Sequence, residues 1–185
     1  MTHSNPQVNL EEKDMRELEE IIIEFLSKYD ALYEKRIQKL VFYGEIFTAQ
    51  HFGERLTNSD FMPYHHGPYS RAVTKAITNL RSNERISINP RRRGQQYTTE
   101  EEGGEISESK REWIDQIHED SKNMGTDGLV DFAKDTWLWQ NFDHEENIDF
   151  DEYIDQVVPS TQAHYRLYKE DRTPASDSRI DEVLM

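Results

Sequence analysis

Apolar residues recur at three- and four-residue steps in five stretches of this chain, and alternate with polar residues in one. The first helical pattern starts at Asp14 and sets Met15, Leu18, Ile22, Phe25, Leu26 and Tyr29 on one face, with Asp30 ending it or opening the next turn. A second follows with Ile37, Leu40, Val41, Gly44 and Phe47. Residues 51–69 hold Gly53, Pro63, Gly67 and Pro68 and read as a connection. Ser70 is placed to cap a third helix, whose stripe is Val73, Ala76, Ile77 and Leu80. The period then changes to two. Ile86 and Ile88 alternate with polar residues, NPRRRG makes a turn, and QQYTT returns, which predicts a β-hairpin near 85–99.

Gly103-Gly104 breaks the chain. Ser109 to Glu112 matches a capping box, with Trp113, Ile114 and Ile117 continuing as a helix. Gly125 and Gly128 bracket a short turn, and Leu129, Phe132, Ala133, Trp137 and Leu138 predict one further helix. The acidic stretch FDHEENIDFDEYIDQVV reads as a loop and then a short helix. The expected fold is α+β and mainly helical: helices with one β-hairpin, in a winged-helix-like order. The link between the second and third helices is too long for a tight helix–turn–helix. Residues 13–168 are expected to form a single domain. A polar arm, 1–12, precedes it, and a disordered polar tail, 169–185, follows, with Val183-Leu184-Met185 at its end.

Composition narrows the function classes. The chain has 185 residues and no cysteine, which excludes disulfides, thiolate metal sites and a cysteine nucleophile. No apolar run approaches the ~20 residues of a membrane span, and the start of the chain lacks the pattern of a signal peptide, so the cytoplasm is the expected location. The net charge of -15 argues at first against a nucleic-acid partner. Yet acids are spread along nearly the whole chain, and nine lysines stand against thirteen arginines. That pattern suits a halophilic protein, solvated in high salt, and it takes most of the functional meaning out of the total charge.

The local sign carries more. Between Arg71 and Tyr97 lie Arg71, Lys75, Arg81, Arg85, Arg91, Arg92 and Arg93 against one acid, Glu84. Arg71, Lys75 and Thr78 share the face of the third helix opposite Val73, Ile77 and Leu80, while Arg91, Arg92 and Arg93 sit at the hairpin tip. A basic helix with a basic wing suits DNA, an acidic protein partner suits it equally, and a solvated face needs neither. His51, His65 and His66 lack metal-ligand spacing, as does His144 beside Asp143, Glu145 and Glu146. With no phosphate loop, nucleophile elbow or paired catalytic motif, no enzyme and no cofactor are expected.

The segments KRIQKLVFYGEIF and FMPYHHGPYSRAVTKAITNL are more specific than any periodicity. They resemble the signature of the SocA-like (Panacea) antitoxin domain and its YwgA-like relatives. Lys39, Leu40 and Tyr43 match its KLQKLLYF-like helix, and Tyr64, Gly67, Pro68 and Tyr69 match its aromatic-x-x-GP-aromatic turn. The resemblance covers residues 35–100 and extends toward about 140. It implies a non-enzymatic regulatory protein that neutralises or escorts a toxin encoded nearby, through a protein interface. Two rival readings are a winged-helix transcription regulator working through residues 71–97 and an accessory protein with a different partner. The residues themselves give the signature a structural role first. Pro68 sets φ at or near a helix start, Gly67 permits a sharp entry, the tyrosines pack the turn, and Lys39 pairs with a carboxylate.

Overall fold

The computed structural model describes residues 10–157, so the 169–185 tail and nearly all of the 1–12 arm lie outside it. Within that range the chain is mainly helical with two small antiparallel sheets. Helix α1 (Glu12–Ser27) buries Leu18, Ile21, Ile22, Phe25 and Leu26, and stops where Ser27 returns its hydroxyl to the carbonyl of Glu24 at 2.7 Å. Two extended residues, β1 (Leu32–Tyr33), lead into α2 (Glu34–Phe52). Gly53 ends α2 in the left-handed conformation at φ 66°, returning its N–H to the carbonyl of Ala49.

The segment expected to be a plain connection contains a hairpin, β2 (Met62–Tyr64) and β3 (Gly67–Tyr69), turned by His65 and His66. Three-residue strands are too short to show a period, which is why the pattern hid them. Ser70 then caps α3 (Arg71–Ser82), accepting from the Val73 N–H at 3.3 Å. Pro68 therefore belongs to a strand, paired with Pro63, and not to the first turn of the helix.

The predicted hairpin is β4 (Ser87–Arg91) and β5 (Gly94–Thr98), with Arg92 and Arg93 as the turn. It does not stand alone. Leu32 pairs with Tyr97 and Tyr33 with Gln96, so the sheet order is β1-β5-β4. Strand β4 is an edge, and an edge is where a sheet tolerates Pro90.

Helix α4 (Glu108–Ser121) starts two residues before the expected box. Ser107 is extended and its hydroxyl accepts from Lys110 N–H, leaving Ser109 inside the first turn. Gly125 is the N-cap of α5 (Thr126–Lys134), and Gly128 is a helical residue rather than part of a turn, held by burial of Leu129, Val130 and Ala133. The single helix expected through Leu138 is two. Thr136 interrupts it and caps α6 (Trp137–Gln140) by accepting from Trp139 N–H at 3.3 Å. Asp149 caps α7 (Phe150–Glu152), which passes into a π-helical turn, Tyr153–Val157.

Helix α2 is the centre of the molecule. It is buried continuously from Ile37 to Ala49, so its apolar surface is all round and not a stripe. Helices α4 and α5 pack against α2, while α1 packs on α3. Phe42 meets Phe61 and Phe150 at centroid distances of 5.3 and 5.9 Å, tying α2 to the loop before β2 and to α7. Glu45 is wholly buried in α2. It accepts from the Arg55 guanidinium and from Thr57 N–H at 2.5 Å, while Arg55 also lies 4.1 Å over the Phe150 ring. Burial pushes the Glu45 carboxyl up despite these donors.

Gly104 brings the segment between β5 and α4 onto α1. Gly104 N–H donates to buried Glu24 at 2.9 Å, and a Cβ on Gly104 would lie 2.0 Å from the carbonyl oxygen of Glu20. Only glycine lets the chain come this close to α1.

Candidate functional site

Both halves of the signature meet where α2 passes under the β2–β3 hairpin. Leu40 is wholly buried, and Tyr43 packs against Phe132 at 5.0 Å, its hydroxyl pKa raised by burial. The polar residues of this part of α2 do the joining. Gln38 clamps the start of α3: its amide nitrogen donates to the Ser70 carbonyl and its amide oxygen accepts from Ser70 N–H, both at 2.9 Å. Thr74 links Tyr69, whose hydroxyl is 2.9 Å away, to Glu34, which accepts from it at 2.6 Å.

Lys39 is only 4 % exposed. Contrary to expectation it has no carboxylate partner among the described residues, and its ammonium instead donates to the Pro68 carbonyl at 2.5 Å. Burial first, and then the charges of Lys35 and Lys134, lower its pKa to about 8. Gly67 makes room for this lysine. It sits at φ 105°, and a Cβ there would come within 3.0 Å of Lys39 Cε and 3.4 Å of Nζ. A single residue type thus meets two demands, a left-handed backbone and close packing on the end of a buried lysine.

A cleft of about 270 Å³ opens over this joint. Glu34, Lys35, Gln38 and Lys39 form one wall, and Tyr64, Gly67 and Tyr69 face them. A second hollow of about 540 Å³ shares Glu34 and Lys35 and extends to Tyr97, Arg93 and the first residues of α5, Thr126 and Asp127. The two hollows therefore adjoin through the first turn of α2. His65 and His66 are exposed turn residues, and Tyr64 stacks on His144 at 5.3 Å.

The basic segment divides. Lys75, Thr78 and Arg81 are exposed on α3, with Arg71 half-buried beside them. Arg91 donates to Gln96, and Arg92 and Arg93 are exposed at the turn. Arg85 does not belong with them. Its guanidinium is held by Glu101 at 2.8 Å and Glu20 at 2.5 Å, which raise its pKa and cancel its charge outward. Glu20 is sixty-five positions away, so sequence alone counted Arg85 among the available cations. Glu34, Lys35 and Gln38 were missed as site residues. Their one visible signal was polarity inside the otherwise apolar α2.

The family model described as Antitoxin SocA-like, Panacea domain, matches residues 37–140, more than half of the 185 residues, and takes in most of α2, both hairpins, α3, α4, α5 and α6. No curated protein and no solved structure matches the chain. The expected relationship rested on Lys39, Leu40, Tyr43 and the turn from Tyr64 to Tyr69; the match includes all of these residues, and the chain belongs to the SocA-like antitoxin (Panacea domain) family.

Proposed function

We propose that this chain neutralises a partner toxin by binding it directly, as a regulatory protein without catalytic chemistry of its own. Membership of the SocA-like family supports a role of the antitoxin type, and it is the observation that carries the reading. The joint between α2 and the β2–β3 hairpin supplies a fitting surface. It is a cleft with aromatic walls over a buried cation, on a rigid central helix. Among the described residues no helix is long and apolar enough to cross a membrane. The test is genetic and biochemical. The product of an adjacent gene, expressed alone, should arrest growth. Co-expression with this chain should restore growth, and the two should purify as a complex. Arrest that persists with both proteins present, or rescue without a complex, refutes direct neutralisation.

A second reading, DNA binding, is favoured by the exposed cations Lys75, Arg81, Arg92 and Arg93, none of them ion-paired among the described residues, and by a hairpin that β1 anchors directly after α3. Loss of Arg85 from that set weakens it. Replacing Arg91, Arg92 and Arg93 with serine distinguishes the readings. A DNA binder loses affinity across sequences and shows a flatter salt dependence. A protein binder has no DNA affinity to lose.

A further inference from the structure

Among the described residues Phe52 is the one large hydrophobic side chain left exposed, at 47 %. A scattered apolar residue at a surface needs no explanation by itself, but this one is built in. It is the last residue of α2, and its ring stacks on Trp113 of α4 at a centroid distance of 4.7 Å and an interplanar angle of 21°. Phe47 and His51 back it at 6.2 and 6.1 Å and stack on each other at 4.4 Å. Trp113 in turn packs on the core. One face of the Phe52 ring is thus covered and fixed, while nearly half of the residue is left to solvent.

The charges beside the stack are one-sided. Glu54 follows Phe52 by two residues, and Glu112 directly precedes Trp113. Both are exposed, and neither is ion-paired among the described residues. The cations next to them in sequence are drawn away. Arg55 holds buried Glu45, Lys110 holds Glu17, and Arg111 holds Glu24. An aromatic ring with an open face and carboxylates beside it suits a guanidinium, which is planar, weakly hydrated and ringed by five donors. The chain builds the same trio in its interior. There the Arg55 guanidinium lies 4.1 Å over the Phe150 ring while pairing with Glu45. At the surface the chain supplies the ring and the acids but no guanidinium of its own among the described residues.

We infer that the Phe52–Trp113 stack is a receptor for an arginine of the partner protein, whose guanidinium lies on the open face of Phe52 and pairs with Glu54 and Glu112. This rests on the reading of the chain as a toxin-binding protein. It adds a contact at the opposite end of α2 from the signature cleft, about 20 Å along the helix from Lys39 at 1.5 Å per residue. A ring already held by a second ring gives up little freedom on binding, and arginine is prominent among the residues that dominate interfaces.

The first test uses the full chain with phenylalanine and tryptophan isotopically labelled and follows the Phe52 ring and the Trp113 indole by NMR. The probe is N-acetylarginine methylamide at millimolar concentrations and constant ionic strength, with the citrulline and lysine analogues as the other arms. The arginine probe should shift both signals saturably, the lysine analogue more weakly, and the citrulline analogue not at all. No response to arginine overturns the inference, as does an equal response to citrulline. An equal response to lysine also overturns it, by showing a general cation site. Two rival occupants are read in the free chain. Signals that change on dilution assign the stack to a second copy, and a Phe52 ring shielded from a soluble gadolinium chelate assigns it to the chain's own residues; either result overturns the inference.

A second measurement uses the growth-arresting partner. Phe52→Leu keeps an apolar group but removes the ring, and should bind the partner about 10-fold more weakly, while Phe52→Tyr should bind like wild type. The double variant Glu54→Gln, Glu112→Gln touches no core residue; it should lose affinity by a similar factor and show a flatter salt dependence. Wild-type binding by Phe52→Leu or by the double variant sinks the inference while leaving neutralisation intact. A wild-type chain that takes up the arginine probe but binds no neighbouring product keeps the receptor and refutes the toxin reading.

Discussion

Replacing Gly67 with alanine should destabilise the protein through two separable causes. The first is the backbone. At φ 105° an L-residue is strained, at a cost of about 1–3 kcal/mol. The second is contact. The new Cβ lies 3.0 Å from Lys39 Cε, so the lysine end must move, and it gives up part of a charged hydrogen bond to Pro68 worth about 1.5–3 kcal/mol. Hydration of the displaced ammonium returns some of that, which leaves a total of about 2–4 kcal/mol. Gly94→Ala isolates the first cause, because Gly94 sits at φ 127° with nothing within 4 Å. Urea denaturation of both variants in matched salt should find Gly67→Ala the costlier by about 1 kcal/mol. That excess should vanish when Gly67→Ala is made in a Lys39→Ala background, where the contacting atoms are gone. Equal costs for the two glycines, or an excess that survives Lys39→Ala, would refute the account of Gly67 as the residue that makes room for Lys39.

Lys39→Met should stabilise the fold at pH 7, by about 1–3 kcal/mol, since it removes a buried cation. The sign with pH follows from the lowered pKa. The native state releases its proton at about 8 and the unfolded state near 10.5, so wild type gains stability between those values and the advantage of Lys39→Met shrinks there; urea titrations at pH 7 and pH 9.5 check it. Glu45→Ala leaves Arg55 without its buried partner and should cost about 3 kcal/mol, read as a lowered melting midpoint. Gly104→Ala should be among the most damaging single changes, about 3–5 kcal/mol, because the clash is with helix backbone that cannot swing aside. Gly125→Ala, with nothing within 4 Å and an ordinary φ of -68°, should cost no more than about 1 kcal/mol in the same assay, because the entropy gained in the unfolded chain offsets a poorer N-cap for α5.

The helices that read clearly in the sequence are those with one buried face. α1 and α3 show it plainly, and Ser70 announces the start of α3. What stayed hidden was short or distant. β1 has two residues and α6 has four, lengths over which no period can be seen. Their place is set by partners elsewhere, Tyr97 and Gln96 for β1. The site was legible as a motif but not as chemistry. The sequence shows Lys39 in an apolar helix, which suggests an ion pair. Only the fold of the β2–β3 hairpin reveals that its partner is a carbonyl and that Gly67 makes room for it. Arg85 illustrates the converse, a cation that looks available until Glu20 and Glu101 are brought to it.

Strand β4 has a consequence for how anything can meet this protein. Among the described residues its outer side is an open row of backbone groups, the kind of border onto which a foreign strand adds and from which fibrils grow. Pro90 deletes one N–H from that row, and Arg91 sets a charge beside it. Two copies meeting border to border would oppose like charges with an incomplete ladder. The arginines at the turn thus act as gatekeepers before any partner is considered. A binding protein that approaches from this side must do so through side chains, because extending the sheet is closed to it.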